Sequence, residues 1–130
     1  MKKILIVIAE YYPDISAGLK NSALKNLDNY KVDIINAPGA FEIPIIISKN
    51  ISKYDAFIAL GCIIKGETPH FDLISSSVMN GIMQLSINHK KPIGNGILTC
   101  LTKAQALARI NKGIEASKAA IDLLENDTSK

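Results

Sequence analysis

Four apolar runs along the chain alternate with longer segments in which apolar residues recur every three or four positions. The runs, which we predict as strands, cover residues 4–9, 31–37, 56–64 and 92–100. They are apolar at successive positions, which is typical of strands buried on both faces of a parallel sheet. Gly94 and Gly96 interrupt the fourth run and predict a close approach of another backbone segment there.

The segments between the runs have the spacing of amphipathic helices. In the first segment apolar residues recur every four positions from Ile15 to Leu27, and Asp14 is the predicted N-cap. A short second helix is predicted over 41–52, with Pro44 in its first turn. The apolar face of the third helix consists of Phe71, Ile74, Val78, Ile82 and Leu85. That of the last consists of Leu107, Ile110, Ile114, Ile121 and Leu124.

Strands that alternate with helices predict βαβ units. The expected fold is an α/β, three-layer αβα sandwich with a four-stranded parallel sheet, doubly wound and flavodoxin-like. No linker, repeat or low-complexity segment divides the chain, so a single domain over residues 1–130 is predicted, with a frayed polar tail at 126–130. Folds of this class bind ligands outside the carboxyl ends of their strands.

Composition and charge narrow the possible functions. The chain has 130 residues, of which 48% are hydrophobic, and a net charge of +3 with dispersed basic residues, which argues against a nucleic-acid partner. No apolar run is long enough to span a bilayer, and the start, MKKILIVIA, lacks a signal-peptide cleavage site, so we expect no membrane partner and a cytoplasmic location. Cys62 and Cys100 lack metal-ligand spacing and are interpreted as reduced thiols.

The segment GETPHFD, residues 66–72, follows the third predicted strand. Thr68 is the predicted N-cap of the third helix, with Pro69 at the first helical position and His70 next. This describes a well-formed helix start with a structural histidine. The same arrangement at a strand's carboxyl end is also a favourable anion site with a histidine beside it. The residues alone leave both interpretations of His70 open.

Two other loops have the same ambiguity. APGAFEIP, residues 37–44, is either a tight strand-to-helix turn or a turn on which a ligand rests, with Glu42 as an acceptor. The tyrosines at 11 and 12 either cap the sheet or stack on a flat ring. Arg109 is an ordinary surface arginine unless an anion lies nearby. The sequence contains no dinucleotide or Walker glycine pattern, no nucleophile elbow and no metal-ligand cluster.

Taken together and in order, PGAFEIP, ALGCIIKGETPHFD and GNGILT resemble the 6,7-dimethyl-8-ribityllumazine synthase family, over roughly residues 4–125. The resemblance implies an enzyme of riboflavin biosynthesis. Its reaction condenses 5-amino-6-(D-ribitylamino)uracil with 3,4-dihydroxy-2-butanone 4-phosphate and releases phosphate and water. The family uses no cofactor and no metal.

The resemblance also implies roles for individual residues. Tyr11 matches an aromatic residue that stacks on the pyrimidine ring. The turn that holds the ribityl chain corresponds to Ala40, Phe41 and Glu42. The strand end that meets the uracil edge corresponds to Cys62, Ile63 and Ile64.

On the phosphate side, Glu67 and Thr68 match the pair that receives the phosphate, and His70 matches the proton-transfer residue. The residues implied to reach the site from a neighbouring subunit are Asn95, Arg109 and Glu115. The partners implied are therefore two small-molecule substrates and further copies of the chain, in a pentamer or a pentamer-based 60-mer with active sites at subunit interfaces.

Two departures from the family pattern stand out. Asn95 replaces the phenylalanine of many members, which removes ring stacking from that side. The connection from Arg109 to Asn111 is short and predicts a last helix with less of a kink. The alternatives that stay open are an archaeal-type riboflavin synthase, which would convert lumazine alone, and a non-catalytic flavin- or lumazine-binding shell protein.

Overall fold

A computed structural model of the chain describes residues 1–126, so all but the first residue of the predicted tail lies outside the described part. The strands are β1 Lys3–Ala9, β2 Lys31–Ala37, β3 Ala56–Ile64 and β4 Ile93–Cys100. The helices are α1 Pro13–Leu24, α2 Ile43–Lys49, α3 His70–His89, α4 Lys103–Leu107 and α5 Lys112–Glu125. A 3₁₀ turn, Ala40–Glu42, precedes α2.

The four strands form one parallel sheet in the order β2-β1-β3-β4. This is the strand order of flavodoxin-like, doubly wound folds, and the predicted fold class is confirmed. The carboxyl ends of all four strands meet at one edge of the sheet. The pairs Ala9 with Ala37 and Ile64 with Cys100 mark that edge.

The side chains of β1 alternate between two buried faces, which explains why the strand is apolar throughout. Ile4, Ile6 and Ile8 pack with buried residues of α1 and α5. Leu5 and Val7 pack with buried residues of α2 and α3. The sheet is therefore the middle of three layers. The edge strand β2 is the most exposed of the four, in keeping with its weaker apolar run.

The two glycines of β4 lie against α5, as their positions in the sequence predict. A Cβ atom at Gly94 would overlap the carbonyl oxygen of Ala116. One at Gly96 would lie 3.1 Å from the Cβ of Ala116 in α5 and 2.6 Å from Cδ2 of Leu60 in the neighbouring strand β3. The close backbone approach is confirmed, and it brings the residues that precede α5 to the carboxyl end of β4.

Several predicted helix limits are wrong by a few residues. α1 begins at Pro13 with Tyr12 as N-cap, and Asp14 lies inside the first turn, where its Oδ1 accepts a hydrogen bond from the Ile15 amide at 3.0 Å. The predicted helix over 41–52 is a 3₁₀ turn followed by α2, which ends at Lys49. Pro44 does lie in the first turn of α2, as predicted.

The largest correction concerns the last helix, which is two helices, α4 and α5, separated by a turn at 108–111. The turn is tied to α1, because the Ser22 hydroxyl donates a hydrogen bond to the Ile110 carbonyl at 2.8 Å. Gly113 packs directly on the backbone of α1 near Leu19. Tertiary contacts thus override the helical spacing of the sequence. Within residues 1–126, none of the helices is long and apolar enough to cross a membrane.

Candidate active site

The carboxyl ends of β1, β2 and β3 open into a cleft of about 770 Å³, which we call the first cleft. The loops that follow these strands and one face of α3 form its walls. It is lined by Tyr11, Tyr12, Gly39, Ala40, Phe41, Glu42, Cys62, Ile63, Ile64, His70, Leu73, Ile74 and Ser77. PGAFEIP and GETPHFD, which are distant in sequence, therefore contribute to one cavity.

Exposed aromatic side chains lie at the mouth of the first cleft. Tyr11 is 71% exposed and Phe41 is 56% exposed. The ring of Tyr11 meets that of Tyr12 edge to face, with centroids 5.0 Å apart. Burial is the main cause that raises the pKa of Tyr12. Two exposed rings at the mouth of the cleft can stack on a flat ligand.

Cys62 is buried at the end of β3. Burial, with a smaller contribution from Cys100, raises the pKa of the Cys62 thiol from 9.0 to about 11. The thiol therefore stays protonated at neutral pH and is a poor nucleophile. Both cysteines are free thiols, as predicted. At this position Cys62 offers a small apolar contact surface.

The start of α3 differs by one residue from the sequence prediction. The helix begins at His70 and Pro69 is its N-cap, so the prediction of Thr68 as N-cap and Pro69 at the first helical position is wrong. The Thr68 hydroxyl still accepts a hydrogen bond from the His70 amide at 3.3 Å. His70 is exposed, and its side chain lines the first cleft.

A second cleft, of about 840 Å³, lies on the other side of α3 and at the end of β4. Its walls come from α3, from β4 and from the turn between α4 and α5. It is lined by Ser75, Ser76, Met79, Asn80, Asn95, Ile97, Leu98, Thr99, Cys100, Ala108, Arg109, Asn111, Lys112 and Glu115. α3 therefore separates the two clefts.

Polar side chains of the second cleft are held by short-range contacts. The Asn95 amide nitrogen approaches the Met79 sulfur at 3.1 Å, and Asn95 Oδ1 accepts from the Ile97 amide at 3.0 Å. The ammonium of Lys112 lies 4.0 Å from the Glu115 carboxylate. Together with Arg109, the cleft has two cations and one anion on its wall, which favours an anionic ligand.

The residues predicted from the sequence fall into three groups. Eight line the first cleft: Tyr11, Ala40, Phe41, Glu42, Cys62, Ile63, Ile64 and His70. Three line the second: Asn95, Arg109 and Glu115. Glu67 and Thr68 are exposed on the loop before α3 and line neither. A single chain does not bring Arg109 together with His70.

Sequence reasoning missed several lining residues. Leu73 and Ser77 follow His70 by three and seven positions, so helical spacing from His70 could have identified them. Lys112 lies three residues after Arg109, so helical spacing from Arg109 could have identified it in the same way. Among residues 1–126, no group of three His, Cys, Asp or Glu side chains could hold a metal ion.

Comparison with known proteins agrees with this geometry. The family model described as 6,7-dimethyl-8-ribityllumazine synthase matches residues 1–127. The chain belongs to this family. The family expected from PGAFEIP, GETPHFD and GNGILT is confirmed.

Relatives that carry the name 6,7-dimethyl-8-ribityllumazine synthase align along most of the chain. The relative from Methylobacterium radiotolerans is 41% identical, over 94% of this chain and 80% of its own length. That from Corynebacterium kroppenstedtii is 39% identical, over 92% and 80%. That from Cutibacterium acnes is 39% identical, over 94% and 80%. The similarity therefore includes both clefts.

Proposed function

We propose that the chain is a transferase of riboflavin biosynthesis that forms 6,7-dimethyl-8-ribityllumazine from 5-amino-6-(D-ribitylamino)uracil and 3,4-dihydroxy-2-butanone 4-phosphate. The family match over residues 1–127 carries this proposal. The first cleft supports it, because motifs that are distant in sequence line a single cavity with aromatic, apolar and titratable walls.

The pyrimidine substrate occupies the first cleft. Its flat ring stacks on Tyr11, which is exposed at the mouth of the cleft. The end of β3 at Cys62, Ile63 and Ile64 presents a strand edge to the uracil. The ribityl chain lies along the turn at 40–42, where Glu42 is half-buried and can accept from its hydroxyl groups.

The phosphate of the second substrate binds where α3 begins, at Glu67 and Thr68. The positive end of a 20-residue helix favours an anion there. His70 lies between this position and the pyrimidine, because it is the first residue of α3 and lines the first cleft. It transfers protons during imine formation, phosphate elimination and ring closure.

The complete active site forms between two copies of the chain. One copy supplies the first cleft and its neighbour supplies the second, which adds Arg109, Asn95 and Glu115. The exposed apolar residues of α3 support an assembly: Leu73, Met83 and Ile87 are each at least 60% exposed. The assembly is a pentamer or a pentamer-based 60-mer of single-domain chains in the cytoplasm.

The decisive experiment mixes the purified protein with both substrates and follows lumazine by its absorbance or fluorescence, with the size of the assembly measured on the same sample. We expect lumazine formation that depends on both substrates. Lumazine supplied alone is the control: riboflavin formed from it would identify the archaeal-type riboflavin synthase activity instead. Tight binding of lumazine with no product from the two substrates would identify a non-catalytic binding protein.

A further inference from the structure

Arg109 lies in the turn after α4, and its side chain is held by a hydrogen bond to that helix. Its Nη1 donates a hydrogen bond to the backbone carbonyl of Gln105 at 3.0 Å. This bond uses one of the five N–H groups of the guanidinium, so four remain to meet a ligand. The direction in which the guanidinium points therefore depends on the orientation of the Gln105 carbonyl.

Gln105 is also fixed by a reciprocal cap at the start of α4. The Thr102 hydroxyl accepts from the Gln105 amide at 3.2 Å, and Gln105 Oε1 accepts from the Leu101 amide at 2.8 Å. These two hydrogen bonds form a variant of the capping box, in which the glutamine side chain accepts from the residue before the N-cap instead of from the N-cap itself. Because α4 has only five residues, it has little stability of its own, and the cap determines its geometry.

The turn that follows is anchored separately to α1. The Ser22 hydroxyl donates to the Ile110 carbonyl, as described above, and Ile110 packs so closely on Gly18 that a Cβ there would lie 2.9 Å from its Cδ1. The position of the Arg109 backbone is thus set by α1. What the cap adds is the orientation of the side chain, through the Gln105 carbonyl.

We propose that Thr102 and Gln105 are positioning residues, whose cap orients the Arg109 guanidinium toward the phosphate of the four-carbon substrate at a neighbouring subunit's site. This inference rests on the proposed function. Neither residue contacts the substrate in this arrangement, so both act through Arg109. If the cap only stabilised α4, its loss would change the KM values of both substrates alike.

The test compares Thr102→Val, which removes the cap acceptor, with Thr102→Ser, which keeps it. Gln105→Met removes the other half of the cap at nearly constant size, and Gln84→Met on the exposed face of α3 is the matched control. KM for each substrate, kcat and inhibition by inorganic phosphate are measured on assemblies whose size is unchanged.

Thr102→Val and Gln105→Met should raise KM for the butanone phosphate, and the inhibition constant of inorganic phosphate, on the order of three- to tenfold. KM for the pyrimidine substrate and kcat should change less than about twofold, because binding of one reactant is weakened uniformly. Thr102→Ser and Gln84→Met should behave as the wild type.

The proposal is overturned if both KM values rise together, or if neither cap variant affects the phosphate substrate. In the Arg109→Ala background, Thr102→Val should cause no further rise in the KM for the butanone phosphate, because the cap acts through Arg109. If Arg109→Ala itself leaves that KM unchanged, the phosphate role of Arg109 in the proposed function fails. If Arg109→Ala raises it and the cap variants do not, the positioning role alone fails.

Discussion

At the scale of single residues, His70 is exposed to solvent, lies in the first turn of α3 and lines the first cleft. Its surroundings were predictable from the sequence, because the carboxyl ends of parallel strands meet at one edge and the GETPHFD loop follows β3. The one-residue error at the helix start was not avoidable, since Pro69 has φ −69° and ψ 4° and falls just outside the helix.

Replacement of His70 by alanine should lower kcat roughly a hundredfold or more, without abolishing activity, and leave KM for the pyrimidine nearly unchanged. Proton transfer by a positioned side chain contributes at least this order of magnitude, whereas the two bound reactants remain side by side. The pH profile of kcat should change, because a side chain that transfers protons contributes to that profile. His89→Ala, at the exposed end of α3, is the control. An unchanged pH profile in His70→Ala would remove the histidine from the mechanism.

The buried thiol of Cys62 gives a second prediction at this scale. In the folded chain the pKa of the Cys62 thiol is about 11, above its ordinary value of 9.0. As pH rises, the unfolded chain therefore loses this proton before the folded chain does. The contribution of Cys62 to stability is therefore fully present below about pH 9 and is lost as pH rises toward 11. Thermal unfolding measured over this range should show a weaker alkaline decline in Cys62→Ser than in the wild type.

The comparison of slopes is needed because other groups titrate in the same range. The pKa values of Tyr12, Tyr30 and Tyr54 are also raised, and these residues add an alkaline decline of the same sign to both proteins. Parallel curves for the wild type and Cys62→Ser would contradict the assignment.

At the scale of elements, the strands were predicted almost residue by residue, whereas the last helix was not. ALARINKG consists largely of residues compatible with a helix, and nothing in its spacing signals the turn at 108–111. The turn arises from contacts with α1, through Ser22 and Gly113, which lie far apart in sequence. The turn also places Arg109 and Lys112 in the second cleft. Because the turn depends on contacts between residues far apart in sequence, the sequence did not predict how this part of the site is built.

Gly113→Ala should destabilise the protein by about 1–3 kcal/mol, because its Cβ would overlap the Leu19 carbonyl oxygen and the Ser22 hydroxyl. α1 and α5 would have to separate to accommodate it. Gly66→Ala is the control for stability, since its Cβ would meet nothing within 4 Å. The free energy of unfolding in urea measures both. Equal stability of the two variants would show that the helix pair adjusts without cost.

At the scale of the whole molecule, the main feature is the division of the site residues between two clefts on opposite sides of α3. The sequence alone did not reveal this division, because it depends on which face of α3 each loop reaches. The resemblance to the family implied it, by assigning Asn95, Arg109 and Glu115 to a neighbouring subunit. A ring in which each first cleft meets the neighbour's second cleft is a heterologous, closed assembly.

Mixed assemblies test this pairing directly. His70→Ala damages only the first cleft of its own chain and Arg109→Ala only the second. When the two variants are co-assembled at random in equal amounts, about one quarter of the sites should combine an intact His70 with an intact Arg109. The activity of the mixed assembly should therefore exceed the sum of the activities of the two variants assembled separately. Activity equal to their average would show that each chain uses its own Arg109.

The position of α3 between two clefts also has a genetic consequence. Under the proposed pairing, a chain that is defective in both clefts disables two active sites, its own and that of a neighbour. If half of the chains in a cell carried such a defect and assembled at random, about a quarter of the sites would remain intact instead of half. An inactive allele expressed beside the normal one would then reduce flavin production more than its share of the protein, and would behave as partly dominant.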